Sequence, residues 1–185
     1  MKTKLPAMFV IAASLVGAPG IADSGAAETN STPRIGVYDS RAVAYAWFWN
    51  DKNQKELNGL MQSARAAKAA GDTNRFASLS GQLRRHQEQM HREVFSTAPA
   101  AEAIADLKVR LPDIQKGAGV TALVSKWDAD GLAKYPGAET VDVTDTLVHE
   151  FIVPTDEQQK VLAEMVKVKP LPIEECNELI RKGEI

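Results

Sequence analysis

The sequence predicts an α+β fold: a small β-sheet body that carries an inserted antiparallel helical hairpin and ends in C-terminal helices. Arg34–Asp39 is typical of a short, half-buried strand, and Val120–Lys126 of a second one. The chain between them is almost wholly helical in pattern. If these distant strands pair in one sheet, the intervening chain must leave the sheet and return. We call its hairpin, at about residues 50–95, the arm.

The N-terminus has the pattern of an export signal. Two lysines precede a short apolar segment, Leu5–Val16, and small residues follow it. This pattern predicts a signal peptide (1–22), a flexible lead-in (23–33) and a periplasmic, or at least exported, protein. Cleavage after Ala27 instead of Ala22 is an alternative, and so is an uncleaved anchor.

The composition suits one domain without disulfides. Cys176 is the only cysteine, so an intrachain disulfide is excluded and stability must come from packing or oligomerisation. We interpret Cys176 as an inert, half-buried thiol. Residues 51–93 carry eight Lys/Arg against five Asp/Glu, whereas residues 94–185 carry ten against sixteen. This asymmetry predicts a basic arm on an acidic body, which would attract anionic partners; an ordinary solvated helix face is the alternative.

The first helix is expected to begin in Ala42–Asn50, which is densely aromatic. Tyr45, Trp47, Phe48 and Trp49 fall within five residues. We interpret them as core or subunit-contact residues. A surface that binds a client or partner is the alternative.

The arm is predicted from two heptad seams separated by a turn. Gly71 is expected to end the first helix, and Asp72 or Thr73 to cap the second, so the two helices form an antiparallel coiled-coil hairpin. The seam positions are Asn53, Leu57, Leu60, Ala64, Ala67 and Gly71, then Phe76, Leu79, Leu83, His86 and Met90.

After a break before Pro99, a helix is predicted over Ala100–Lys116 and is perturbed by Pro112. Glu139–Val143 is predicted as the antiparallel partner of the second strand. The remaining predicted elements are a helix containing Leu147, Val148, Phe151 and Ile152, and the helices Asp156–Val168 and Ile173–Lys182. We therefore divide the chain into a domain (34–152) and a helical tail (153–185).

No motif predicts chemistry, so we expect no catalytic residue, metal site or cofactor. His149-Glu150 lacks the second histidine of a zincin motif, and His86 and His91 are five residues apart, which suits structural histidines better than ligands. Asp142 and Asp145 fit helix capping, and Asp128 and Asp130 lack the rest of a calcium loop. An enzyme with an unrecognised site is the least favoured interpretation.

The segment RIGVYDSRAV at 34–43 resembles the first strand of the Skp/OmpH-like periplasmic chaperones. Residues 117–151 are similar to the closing segment of that family: Gly119–Val124, Tyr135 and Asp142–Thr144 match its strand, loop tyrosine and strand end. The resemblance implies a homotrimer whose arms surround a cavity for unfolded outer-membrane proteins, near an anionic membrane. The short arm and the tail depart from the family pattern.

We therefore predict an ATP-independent periplasmic holdase for unfolded outer-membrane or envelope proteins, with no nucleic-acid partner. The predicted client-binding residues are Lys52, Lys55, Arg65, Lys68, Arg75, Arg84, Arg85 and Arg92. Met61, Phe76 and Met90 would shield apolar client surface, unless they only pack in the seam. The alternative is a non-catalytic envelope scaffold that binds one folded partner through Tyr45–Trp49 or the tail.

Overall fold

The computed structural model describes residues 32–185. The predicted signal peptide (1–22) and the lead-in as far as residue 31 lie outside the described residues. The described chain combines helices with a small sheet, which agrees with the predicted α+β class. Within it, no helix is long and apolar enough to cross a membrane.

The sheet contains three strands in the described chain: β1 (Arg34–Tyr38), β2 (Ala122–Ser125) and β3 (Glu139–Asp142). β1 is central, and β2 and β3 both pair with it in parallel. The first strand and the second strand-like run are thus neighbours, as expected, and the long helical insertion separates them.

The predicted antiparallel pairing of Glu139–Val143 with Val120–Lys126 is wrong. β3 pairs with β1 and not with β2, and the pairing is parallel. The connection between β2 and β3 contains a short helix, α6 (Ala129–Ala133), and carries the chain to the other side of β1. A hairpin turn would have left β3 beside β2, whereas this longer crossover permits a parallel strand.

A close approach at the centre of the sheet requires Gly36. A Cβ atom there would lie 2.6 Å from Leu123 Cδ2 and 3.2 Å from Val143 Cγ2. Both distances are shorter than ordinary van der Waals contact, so side chains from the two neighbouring segments occupy the space that a larger residue would need.

Helix α1 (Ser40–Phe48) is the centre of the core, because almost all of its residues are buried. It packs against α3 (Thr73–Phe95) and α7 (Thr144–His149). Tyr45 and Phe48 are 7% and 1% exposed, which agrees with the core interpretation of the aromatic segment. The core residues around α1 include Val43, Val94, Ala103, Leu107, Ile114, Val143 and Leu147.

Helices α2 (Asp51–Ala69) and α3 pack against each other across a tight turn. Gly71 adopts φ +71°, and Asp72 caps α3 by accepting a hydrogen bond from the Arg75 backbone N–H at 3.0 Å. The seam positions Asn53, Ala64 and Ala67 are buried, while most of the flanking residues are exposed.

The helix predicted over Ala100–Lys116 is interrupted in the structure, just before the proline that was expected to perturb it. Two helices, α4 (Ala101–Asp106) and α5 (Leu111–Ala118), occupy this segment. Pro112 lies in the first turn of α5, where the N–H that proline lacks has no intrahelical partner in any case. The proline therefore begins a helix here instead of kinking one.

The tail consists of α8 (Asp156–Lys167) and α9 (Ile173–Lys182) and lies on the domain. Thr155 and Gln158 form a capping box at the start of α8, α8 packs against α1, and α9 packs against α3. Cys176 in α9 is fully buried, not half-buried as expected. The tail is therefore part of the same folded unit as the domain.

Candidate functional site

Seven of the eight predicted client-binding residues are exposed on the α2–α3 pair. The eighth, Arg92, is partly buried, and its Nε–H donates to Asn177 Oδ1 of α9 at 2.8 Å. Arg92 therefore fixes the tail against α3. The exposed members of the set are Lys52, Lys55, Arg65, Lys68, Arg75, Arg84 and Arg85.

Most of these exposed cations lack a salt-bridge partner within residues 32–185. Arg84 pairs with Glu88 at 3.7 Å, and the Lys68 ammonium lies 5.8 Å from the centre of the Phe76 ring. The other five exposed residues of the set form no salt bridge there. Their charges face solvent, where they can act on an approaching anion.

Glu93, on α3, contributes less negative charge to the helix pair than an ordinary glutamate would. It is 7% exposed, and its Oε2 has no hydrogen-bond partner in the described chain. Burial raises the pKa of Glu93 to about 7. The negative charge of Glu102 also raises this pKa, whereas a hydrogen bond from Gln89 lowers it. A large fraction of Glu93 is therefore protonated at neutral pH, and the helix pair is more positive than its composition indicates.

The apolar side chains of the pair are largely turned inward. Met61, Phe76 and Met90 are all partly buried. Within the described residues, the strongly exposed large apolar side chains are Trp49, Phe95, Val109, Val153, Val161, Val166, Val168 and Ile185. None lies between residues 51 and 94, so the burial agrees with the seam interpretation of these three residues.

The aromatic segment is mostly internal. Tyr45 stacks on Trp49 with ring centres 4.5 Å apart, and the Trp47 indole N–H donates to Asp106 Oδ2 at 2.8 Å. Only Trp49 is strongly exposed, at 36%. A partner surface made from Tyr45–Trp49 would therefore offer one accessible ring.

The predicted structural histidines are in aromatic contacts and not in a metal-binding group. His86 packs edge-on against Phe48 at 5.3 Å, and burial lowers its pKa. His91 lies beside Phe95. In the chain from residue 32 onward, no group of three or more His, Cys, Asp or Glu side chains is arranged to hold a metal ion.

The structure assembles a charged cluster that we did not predict, at the carboxyl edge of β1 and β2. Asp39 follows β1, and Lys126 and Trp127 follow β2. The Asp39 carboxylate is 1% exposed and accepts hydrogen bonds from Arg41 Nε (3.1 Å) and Trp127 Nε1 (2.9 Å). Lys126 Nζ lies 2.8 Å from its Oδ2. Neighbouring parallel strands bring these distant residues together.

This cluster holds Asp39 ionised. Burial acts to raise the pKa of Asp39, but the hydrogen bonds from Arg41, Lys126 and Trp127 outweigh burial and lower it to about 2. Arg41 also donates to the carbonyls of Val168 (2.8 Å) and Met165 (3.0 Å) at the end of α8. The cluster therefore joins the sheet, α1 and the tail.

The sequence held a signal for this cluster. Asp39 directly follows β1, Lys126 and Trp127 directly follow β2, and ligands of open parallel sheets bind beyond the carboxyl ends of the strands. The predicted antiparallel pairing of Glu139–Val143 with Val120–Lys126 did not indicate such a parallel sheet. Comparison of the chain with protein-family models, curated proteins and solved structures found no match.

Proposed function

We propose that this protein is a non-catalytic, ATP-independent holdase of the cell envelope, and that its α2–α3 pair serves as a Skp-like arm. The observation that supports this proposal is the set of exposed cations on that pair, most of which form no salt bridge within residues 32–185. Clients would be unfolded outer-membrane or envelope proteins in the periplasm, with an anionic membrane surface as a second partner.

Binding would depend on many weak contacts. An exposed ion pair contributes about 0–1 kcal/mol, so no single arm residue can hold a client. Several cations together raise the local concentration of an anionic chain while leaving it mobile. Because salt screens charges over about 10 Å at 0.1 M, client protection should weaken as the salt concentration rises.

The proposal predicts the effect of reversing three unpaired arginines, Arg65, Arg75 and Arg85, to Glu. Suppression of the aggregation of an unfolded outer-membrane protein, followed by light scattering at low salt, should fall strongly because the arm becomes acidic. Arg92 and Arg84 are left unchanged since both have partners in the fold.

The matched control changes the same total charge outside the arm. Lys108, Lys116 and Lys160 are exposed and form no salt bridge within residues 32–185. Their reversal to Glu should leave suppression largely intact. Equal suppression by the wild type and the arm variant, with both folded by circular dichroism, would contradict the electrostatic mechanism.

A scaffold that binds one folded partner is the second candidate, and the exposed apolar residues of the tail favour it. Val161, Val166 and Val168 are 44%, 62% and 62% exposed on or next to α8. A panel of unrelated unfolded outer-membrane proteins separates the candidates. A holdase protects several of them from aggregation, whereas a scaffold protects none.

A further inference from the structure

A cavity of about 690 Å³ opens at the carboxyl edge of β1 and β2. Its volume is in the range of small-molecule sites, about 300–1,000 Å³. Side chains from β1, the β2–β3 connection and the start of α9 line it. The arm does not contribute to it, so the proposed holdase activity does not use this cavity. The exposed valines of the tail that favour a scaffold lie outside it as well.

Tyr38 gives the cavity a polar group without a partner. The residue is only 7% exposed and lines the cavity, and its hydroxyl makes no hydrogen bond to any residue of the described chain. The hydroxyl oxygen keeps some access to the cavity, because Glu93 Oε2 is the one fully buried side-chain N or O atom without a hydrogen bond in the described chain. Burial, and the nearby Asp128 charge, raise the pKa of Tyr38. The phenol is therefore neutral at pH 7 and can accept a hydrogen bond.

The cavity wall is acidic. Asp128, Asp130 and Glu174 line it together with one basic residue, Lys134, so the formal net charge of the lining is −2. Asp128 accepts a hydrogen bond from the Gly131 backbone N–H at 2.8 Å. Within residues 32–185, Asp130 and Glu174 form neither a salt bridge nor a side-chain hydrogen bond. Two carboxylates are thus available to a ligand.

Aromatic rings complete the lining. Trp127 and Tyr135 line the same cavity. Two cations already lie against the Trp127 ring: the Arg41 guanidinium is 5.0 Å from the ring centroid, and the Lys126 ammonium is 4.9 Å from it. These two cations are also paired with Asp39. Within the described chain, no cation lies against the other two rings of the lining, Tyr38 and Tyr135. Aromatic surface of this kind beside carboxylates favours an organic cation over an inorganic one.

We propose that this cavity binds an organic cation, either an ammonium or a guanidinium group, between Asp130, Glu174 and the Tyr38 hydroxyl. The cation would donate hydrogen bonds to the two carboxylates and to the phenol oxygen. A basic peptide side chain and a free polyamine both offer this chemistry. The location agrees with the rule that ligands of open parallel sheets bind at the carboxyl ends of the strands.

Calorimetric titration of the folded protein at low salt tests the proposal with three probes. N-acetylarginine methylamide represents a peptide side chain, spermidine a free polyamine, and N-acetylglutamate methylamide an anion. We expect saturable binding of at least one cationic probe and none of the anion. Preference for the arginine probe would indicate a peptide ligand, and preference for spermidine a free amine.

Variants then locate the binding. Each of Asp130→Asn and Glu174→Gln should weaken it by about two- to fivefold, as expected for exposed charge pairs. Tyr38→Phe should weaken it by about two- to tenfold through the lost hydrogen bond. The control, Glu157→Gln with Glu184→Gln, removes two exposed carboxylates outside the cavity and should bind like the wild type.

The proposal is overturned if no cationic probe binds saturably, if the anion binds equally well, or if the Asp130→Asn, Glu174→Gln double variant binds like the control. Both double variants change only exposed side chains, so the test does not depend on Tyr38→Phe folding. The arm variant with three reversed arginines should bind the cationic probe normally. The proposal of cation binding in the cavity and the proposal of holdase activity by the arm can therefore be contradicted independently of each other.

Discussion

At the scale of single residues, Asp39 has the largest predicted effect on stability. It is the only carboxylate in the buried cluster that contains Arg41 and Lys126. Removing one partner of a buried ion pair leaves an uncompensated charge and costs about 3–5 kcal/mol. The aspartate also fixes the arginine that holds the end of α8, so its loss should loosen the tail.

We predict that Asp39→Asn lowers the free energy of unfolding by about 3–5 kcal/mol at pH 7, measured by urea denaturation. Because the pKa of Asp39 is about 2 in the folded state and 3.8 ordinarily, the unfolded state takes up the proton first as the pH falls. The contribution of Asp39 is thus present above pH 4 and lost towards pH 2. Asp145→Asn, at an exposed position, is the control. If both variants lose an equally small amount of the free energy of unfolding, the prediction is contradicted.

Glu93 has the opposite pH dependence. Its pKa is about 7 in the folded state and 4.5 ordinarily. The unfolded state therefore releases the proton first as the pH rises, and the free energy of unfolding falls between these values. The charged groups that influence Glu93 are Glu102 and Arg92.

We predict that Glu93→Gln raises the free energy of unfolding at pH 8 by about 1–3 kcal/mol, because a neutral group replaces a buried charge. It should also flatten the dependence of stability on pH between 5 and 7. Urea denaturation across this range measures both effects. A variant whose stability falls with pH as steeply as that of the wild type would show that another group titrates there.

At the scale of elements, the parallel sheet depends on the missing side chain of Gly36. A Cβ atom at this position would overlap Leu123 and crowd Val143. We predict that Gly36→Ala lowers the free energy of unfolding by about 1–3 kcal/mol, the usual cost of overpacking. Gly59→Ala is the matched control, because nothing lies within 4 Å of its added Cβ.

In α2, Gly59→Ala should instead stabilise the protein by about 0.5–1 kcal/mol through helix propensity. Thermal unfolding of both variants compares the two effects. No destabilisation by Gly36→Ala would mean that the packing at β1 is not as tight as its interatomic distances indicate. Destabilisation by Gly59→Ala would contradict the expectation from helix propensity in α2.

Elements with a local signal were predicted best. The Gly71 turn, the Asp72 cap of α3 and the tail helix Ile173–Lys182 each depend on contacts or caps within a short stretch of sequence, and the structure has them. The pairing of Glu139–Val143 was wrong because strand order depends on where the connection crosses, which periodicity does not encode. Pro112 was expected to perturb the helix over Ala100–Lys116, but its position at the start of α5 was missed because a proline can end one helix or begin another.

At the scale of the whole molecule, both outer strands of the sheet have an open edge in the described chain, since β1 is central. Unpaired strand edges are available for pairing with another chain. Such edges would allow the homotrimer that the resemblance to Skp/OmpH-like chaperones implies, in which the sheets of three subunits would meet in a central body.

We predict that the chain from residue 23 has the mass of a trimer by light scattering across a tenfold concentration range. The backbone N–H of Glu139 donates to the Pro33 carbonyl, directly before β1, and that of Val143 donates to the Val37 carbonyl in β1. By alternation, the N–H of Thr140 points to the open edge. Thr140→Pro removes this donor and should produce monomers if β3 forms the subunit contact, whereas Thr140→Val should not. A wild-type monomer would remove the shared client cavity and leave the scaffold as the better candidate.

The sequence by itself determined the class of fold, the helix pair with its turn and exposed cations, and the helices of the tail. These follow from periodicity, caps and composition, which act over a few residues. Only the tertiary structure decided that the strands are parallel, that Asp39 meets Arg41 and Lys126, and that Tyr38, Asp130 and Glu174 share a cavity. Apart from Asp39 and Arg41, which are neighbours in sequence, these residues come from distant segments of the chain. The parallel pairing of β1 with β2 and the packing of α9 on α3 determine which of their side chains meet.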